Sequence, residues 1–200
     1  MKTSHGIIGG LLAALFLAIV TMASTNNTLV NLDENVNKEL GNIDTQYQRR
    51  ADLVPNLVAT VKGYASHEEK VFTEVTAARA AVGQTNINVD DVSPEQLEAF
   101  LAAQDKLSGA LSKLLVVAEN YPDLKASENF VALQAQLEGT ENRISTARTR
   151  YNTAVTDYNK QRRAFFTSMI VSMTPLDFPE KHTVFEAQPG ADVVPTVNFD

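Results

Sequence analysis

The fold is written most openly in residues 133–158, LQAQLEGTENRISTARTRYNTAVTDY. Leu133, Leu137, Thr140, Ile144, Ala147, Tyr151, Ala154 and Tyr158 follow one another at steps of four, three, four, three, four, three and four. A helix places such positions on one stripe, the seam of a helix packed lengthwise against others. Ser127 stands where a cap is needed, and the pattern is expected to carry on to about Met173, roughly 45 residues or ~65 Å. A helix of that length gains its stability from burial of the seam, because propensity alone does not hold it in water.

The same spacing recurs upstream. Leu97, Phe100, Gln104, Leu107, Leu111, Leu114 and Ala118 make a second seam. Its start is marked by Ser93-Pro94-Glu95-Gln96, a capping box with Pro in the first helical position. Pro122 closes it, since the residue before a Pro avoids the helical region. Ahead of it lies a polar loop, residues 83–92, GQTNINVDDV. A first seam occupies residues 28–82, through Leu40, Ile43, Tyr47, Val54, Leu57, Val61 and Tyr64, with Arg50 in one apolar slot. Pro55 lies inside that run. It removes a hydrogen bond and presses on the carbonyl of Ala51, so a kink is expected there. Gly63 is a second weak point, and the run counts as one bent helix or as two.

Residues 7–23, IIGGLLAALFLAIVTMA, carry no charge. Seventeen helical residues reach ~26 Å, close to the ~30 Å of a hydrocarbon core, and the uncharged flanks supply the rest. The expectation is one membrane-spanning helix. A cleaved signal peptide is the alternative, with Thr21-Met22-Ala23 as its cleavage site. Helical periodicity resumes at Leu29 without a loop, which speaks for retention. Lys2 precedes the segment, and Asp33 and Glu34 are the first charges after it. Positive charge stays inside, which places the bulk of the chain outside the cytoplasm.

Pro175, Pro179, Pro189 and Pro195 punctuate the C-terminus. Residues 182–186 and 193–199 read as short extended pieces, and Phe178, Phe185 and Phe199 are the apolar points of a tail that lies back on the bundle, docks elsewhere or moves. The expected architecture is therefore all-α. Residues 1–27 form a membrane anchor, residues 28–173 an elongated antiparallel bundle of three to four long helices, and residues 174–200 an extended tail.

The formal net charge of -7 over 200 residues repels phosphate backbones, so nucleic acid is not an expected partner. With no Cys, there are no disulfides, thiolate chemistry or Cys-based metal sites. His67-Glu68-Glu69-Lys70 begins like a zinc-protease motif, but position 71 is Val where the second His belongs. Glu138 and Glu141 lack the His partners of a di-iron bundle. No catalytic residue, cofactor site or metal site is expected. The polar residues near the seams are of greater interest: Glu138, Glu141, Arg143, Arg148, Asn152 and Asn159, with Arg49, Arg50 and Asp52 on the first helix and Glu119 on the second. Charges near a bundle core must be paired, and such pairs set register between helices. A structural ion-pair network is the expected role.

Arg49-Arg50-Ala51-Asp52-Leu53-Val54-Pro55-Asn56-Leu57-Val58, with Val61-Lys62-Gly63-Tyr64 and Glu68, resembles the hallmark segment of the LemA family. Val117-Ala118-Glu119-Asn120-Tyr121-Pro122-Asp123-Leu124-Lys125-Ala126 resembles its second signature, and Glu138-Gly139-Thr140-Glu141-Asn142-Arg143-Ile144, with Ala147-Arg148 and Tyr151-Asn152, its third. One departure is Phe165-Phe166, where relatives often place a Pro; the helix is expected to run further here. The resemblance implies a bacterial membrane protein with one spanning helix and an elongated helical bundle, but no reaction; the expected location is the inner membrane, with the bundle outside the cytoplasm. Membrane lipid and further copies of the chain are the expected partners, through a scaffold that self-assembles; the alternative is an adaptor that recruits an envelope protein through its bundle face or its tail.

Overall fold

The computed structural model describes residues 2–85, 87, 89, 92–173, 178, 179, 181 and 185, with side chains from residue 9 onward except that of Met173. Its regular structure is helical: α1 (Lys2–Lys62), α2 (Glu69–Gln84), α3 (Pro94–Glu119), α4 (Pro122–Lys125), α5 (Glu128–Arg163) and α6 (Phe165–Met173). No strand occurs among the described residues. The chain is all-α.

Side-chain pairs fix the topology. Tyr47 meets Arg148 and Arg50 meets Glu141, so α1 and α5 run antiparallel. Arg79 reaches back to Ala51, which turns α2 against α1, and Glu74 pairs with Lys113, which turns α3 against α2. The result is an up-down-up-down bundle. α1 and α5 are its long pair, and α2 packs on α3.

The seams are buried as their spacing requires. Leu40, Ile43, Tyr47, Arg50, Val54, Leu57 and Val61 are buried on α1. Leu97, Phe100, Gln104, Leu107, Leu111, Leu114 and Ala118 are buried on α3, and Leu137 to Tyr158 at the heptad positions of α5. Tyr64 is the exception, 47% exposed, because α1 has ended two residues earlier. The core falls into two clusters. The far one gathers Val54, Leu57, Phe72, Val75, Leu107, Leu114, Leu124 and Phe130. The near one gathers Leu29, Val36, Leu40, Tyr47, Phe100, Ile144, Tyr151, Tyr158 and Phe178. Arg50 sits on the seam between them.

Pro55 does not stop α1, which runs on to Lys62. The amide that Pro lacks would have bonded the Ala51 carbonyl, and Arg79 Nε of α2 donates to that oxygen instead, at 3.0 Å. The break falls at Gly63, where a Cβ would come within 3.3 Å of the Thr60 carbonyl. P55A should therefore stabilise the bundle by about 1–2 kcal/mol, less than the ~3 kcal/mol separating Pro from Ala in an unassisted helix interior, because the freed carbonyl is already satisfied. Chemical denaturation of P55A with and without R79A checks this; a loss of stability on P55A alone would contradict it.

The capping box at Ser93 forms in full. Gln96 N donates to Ser93 Oγ at 3.2 Å and Ser93 N to Gln96 Oε1 at 2.9 Å. Pro122 both closes α3 and opens the short α4. Ser127 caps α5, its Oγ accepting from Phe130 N. The expected run to Met173 is interrupted: Ala164 is extended, with φ -60° and ψ 139°, and α6 is a separate helix. Nothing in Arg163-Ala164-Phe165 forbids a helix, so tertiary contacts override propensity here. Gln161 Nε2 donates to Thr167 Oγ1, and Val171 packs on the cluster built around α1. A straight continuation would have carried both away.

The first residues of α1 behave differently. Leu11, Leu12, Leu15, Phe16, Leu17, Ile19 and Val20 are all exposed, and the apolar window, of mean hydropathy 1.6, has none of its residues buried. Burial starts at Leu29, on the same unbroken helix.

Candidate functional site

The polar residues of three helices converge in the last third of α1, around Arg50. The Arg50 side chain is 2% exposed. Its Nη1 donates to Ser108 Oγ at 2.6 Å and to Glu141 Oε1 at 2.9 Å. Its Nη2 donates to Gln104 O at 2.9 Å and Gln104 Oε1 at 2.7 Å. One guanidinium thus ties α1 to α3 and α5, using the forked geometry that Lys lacks. Glu141 stays 47% exposed, so the pair keeps water on its acidic side and avoids full desolvation of both charges.

One turn away, Tyr47 is buried, with its ring edge-on to Phe100. Its hydroxyl accepts from Nε of Arg148 at 2.9 Å and also from Nη2 of the same residue. The guanidinium of Arg148 faces the rings of both Tyr47 and Phe185, at 5.7 and 5.2 Å from their centroids. An open cleft of about 380 Å³ lies over these groups, lined among others by Asp105, Glu141, Arg148, Asn152 and Phe185. Two arginines face two carboxylates there, so the cleft carries no net charge with which to concentrate an anion.

Burial pushes the Tyr47 phenol up from its ordinary 10, outweighing the opposing pull of Arg148 and Arg50. Burial alone pushes Tyr151 up to about 12. The folded state holds both phenols neutral, while the unfolded chain ionises near 10. The contribution of each is complete below that pH; it is lost as pH rises through the raised folded-state pKa, about 12 for Tyr151. In an alkaline titration followed by phenolate absorbance and circular dichroism together, these two phenols should ionise only as helix is lost. Y47F and Y151F identify their share, and a phenolate from either in an intact bundle would contradict the expectation.

The tail meets the same face. Asn152 Nδ2 donates to Phe185 O at 2.9 Å, and Phe185 N donates to Asn152 Oδ1 at 2.8 Å. Two turns on, Asn159 treats Lys181 identically, donating to its carbonyl and accepting from its amide at 3.1 Å. Tyr158 Oη donates to Pro179 O at 2.8 Å, and Arg162 Nε to Phe178 O. Lys181 Nζ pairs with Asp33 of α1 at 3.1 Å. The described tail residues therefore run antiparallel to α5, held mainly by their backbone. Of the expected apolar points, Phe178 and Phe185 pack on the near cluster. Phe199 and the extended piece at 193–199 lie outside the described residues, as does the piece at 182–186 apart from Phe185.

Of the residues singled out in the sequence, the structure brings Arg50, Glu141, Arg148, Tyr151 and Asn152 to this one face. Arg49, Asp52 and Arg143 lie on another, lining a shallow groove with Gln136 and Thr140. Glu119 and Glu138 are exposed, the latter accepting from Gln134 at 3.4 Å. Tyr47, Gln104 and Ser108 were not among them. Gln104 carried a usable signal, a polar side chain in an apolar seam, matching Arg50 in the seam of α1. Among the described residues no three His, Asp or Glu side chains converge to hold a metal ion.

Comparison with known proteins gives one family. The model of the LemA family matches residues 39–199. The chain is 26% identical over 179 residues to magnetosome proteins MamQ 1 and MamQ 2 of Paramagnetospirillum magneticum, covering 79% of this chain and 66% of each relative. It is 25% identical over 150 residues to protein LemA of Metamycoplasma hominis, covering 75% of this chain and 65% of that one. The chain thus spans just under two thirds of the length of these relatives.

Proposed function

Because the chain belongs to the LemA family, we propose that it is a membrane-anchored helical scaffold whose bundles assemble side by side. The apolar, exposed start of α1 supports membrane association. One observation carries the reading: α1 is a single 61-residue helix whose first part is apolar and exposed and whose remainder is the spine of the core. The anchor is therefore rigidly continuous with the bundle, which suits holding a body at a set height above lipid. The narrow bundle has much surface for its core, and lateral association would bury more. The reading is non-catalytic, with the bundle on the extracytoplasmic side of a bacterial inner membrane, as the placement of Lys2 supports.

Light scattering on full-length protein in detergent tests the assembly. Oligomers that grow with concentration are expected, and a strict monomer at every concentration sinks the idea. Deleting residues 175–200 separates this from the adaptor reading. Assembly should survive or weaken under the first, whereas partner capture would vanish with the bundle intact under the second. The adaptor reading has a difficulty, because the described tail residues are already engaged by Asn152 and Asn159.

A further inference from the structure

Beyond the apolar start of α1, α6 is the helix among the described residues whose outward face is strongly apolar. Phe165 is 76% exposed, Phe166 69% and Met169 48%, with the two rings packed edge to face, while Thr167 and Ile170 of the same helix are buried. Its place along the molecule follows from the side-chain register. Asn159 holds the backbone of Lys181, whose ammonium pairs with Asp33, so Asn159 lies level with Asp33 of α1. Arg163, the end of α5, is four helical residues further along, ~6 Å toward the start of α1 at ~1.5 Å per residue, and the extended Ala164 adds up to ~3 Å before Phe165. Ala23, where the apolar segment ends, lies ten residues below Asp33, or ~15 Å. α6 also packs against α1 itself. The exposed aromatic pair therefore sits within one helical turn or so of the level at which α1 becomes lipid-facing. Between these levels α1 reads Ser24, Thr25, Asn26, Asn27 and Thr28, uncharged and polar, a composition suited to the headgroup zone. Lys160, Arg162 and Arg163 occupy the last turn of α5, directly before α6, where anionic headgroups favour positive charge.

We propose that α6 is a second membrane contact, an interfacial helix that sets Phe165, Phe166 and Met169 into the boundary between headgroups and acyl chains of the leaflet α1 enters. The occupant of this face is the lipid surface, because the face continues the exposed apolar surface of α1 and lies at the depth where that surface ends. Interfacial helices bury such faces by ~5–10 Å. With two contacts, a span and a surface helix, the bundle is fixed in tilt as well as in height. The inference rests on the membrane-anchored reading, and its test keeps the two apart.

The chain has no Trp, so single Trp reporters are unambiguous. F166W, L15W and V131W, each in the full-length chain, are reconstituted into liposomes of equal phosphatidylcholine and phosphatidylglycerol, with bromine placed near the headgroup or near the chain end of the lipid. L15W reports the span, and V131W, exposed on the far half of the bundle, reports water. The expected result is blue-shifted F166W emission, quenched strongly by shallow bromines and weakly by deep ones, with L15W quenched and V131W unaffected. L15W quenched while F166W emits as in water overturns the interfacial helix and leaves the anchor standing. Blue-shifted F166W that no bromolipid quenches also overturns it, since the face is then covered by protein, a second copy included. L15W unquenched removes the anchor and the inference with it.

Discussion

R50A is expected to lower the stability of the bundle by about 3–5 kcal/mol, the largest effect of any single substitution on the polar face. The reason lies in what it leaves behind. Gln104 O and Oε1 and Ser108 Oγ lose their donor at a site where Gln104 is buried. A cavity the size of a guanidinium also opens between the two core clusters. R50M keeps most of the volume and should recover part of the loss. E141Q should cost under ~1 kcal/mol, because that carboxylate is half in water. R49A, one residue away and exposed, should move stability by no more than ~0.5 kcal/mol. Thermal unfolding of the four variants in detergent orders them, with R50A falling by about 10 °C for a chain of this length. Equal effects at positions 49 and 50 would mean that the Arg50 network does not form.

The second large effect is release of the tail. N152A with N159A removes four hydrogen bonds to the backbone of Lys181 and Phe185. At ~0.5–1.5 kcal/mol each, partly recovered by water, the double variant should cost about 2–4 kcal/mol. Hydrogen exchange gives the sharper readout. The amides of Lys181 and Phe185 should be protected in the parent chain and exchange freely in the double variant, while amides in the middle of α3 keep their protection. Asn152→Asp with Asn159→Asp retains the acceptor and loses the donor, so it should fall between. If the two amides exchange freely in the parent chain, the clamp is absent in solution.

Most of the bundle was legible because burial and spacing speak the same language. A residue that must face a partner every three or four positions leaves a pattern in the chain, and all eight positions from Leu133 to Tyr158 lie on the packed stripe of α5. Caps were equally legible, since Ser93 and Ser127 act within four residues of themselves. What did not show was anything decided across the bundle. The end of α5 at Arg163 depends on Gln161, Thr167 and Val171 finding partners in three dimensions, and no local breaker marks it. The Ala51 carbonyl that Pro55 leaves without its helical partner is taken by Arg79 of a different helix. On the polar face, Arg50 announced itself as a charge in an apolar slot, but its partner Ser108 is one unremarked residue near the middle of α3. The clamps of Asn152 and Asn159 grip main-chain atoms, and main-chain recognition leaves no trace in the sequence recognised.

On the proposed anchoring, one helix carries the chain from lipid into the core without interruption. The absence of Cys makes it measurable by spin labels on L15C and T45C, one in the apolar segment and one on the exposed side of the bundle, in the full-length protein in liposomes. Thirty helical residues at ~1.5 Å each put the labels about 45 Å apart, and double electron–electron resonance should give a single narrow distribution near that value, with the label at position 15 shielded from water-soluble relaxants. A broad or markedly shorter distribution, or a label at position 15 open to water, would mean that α1 is hinged or unanchored.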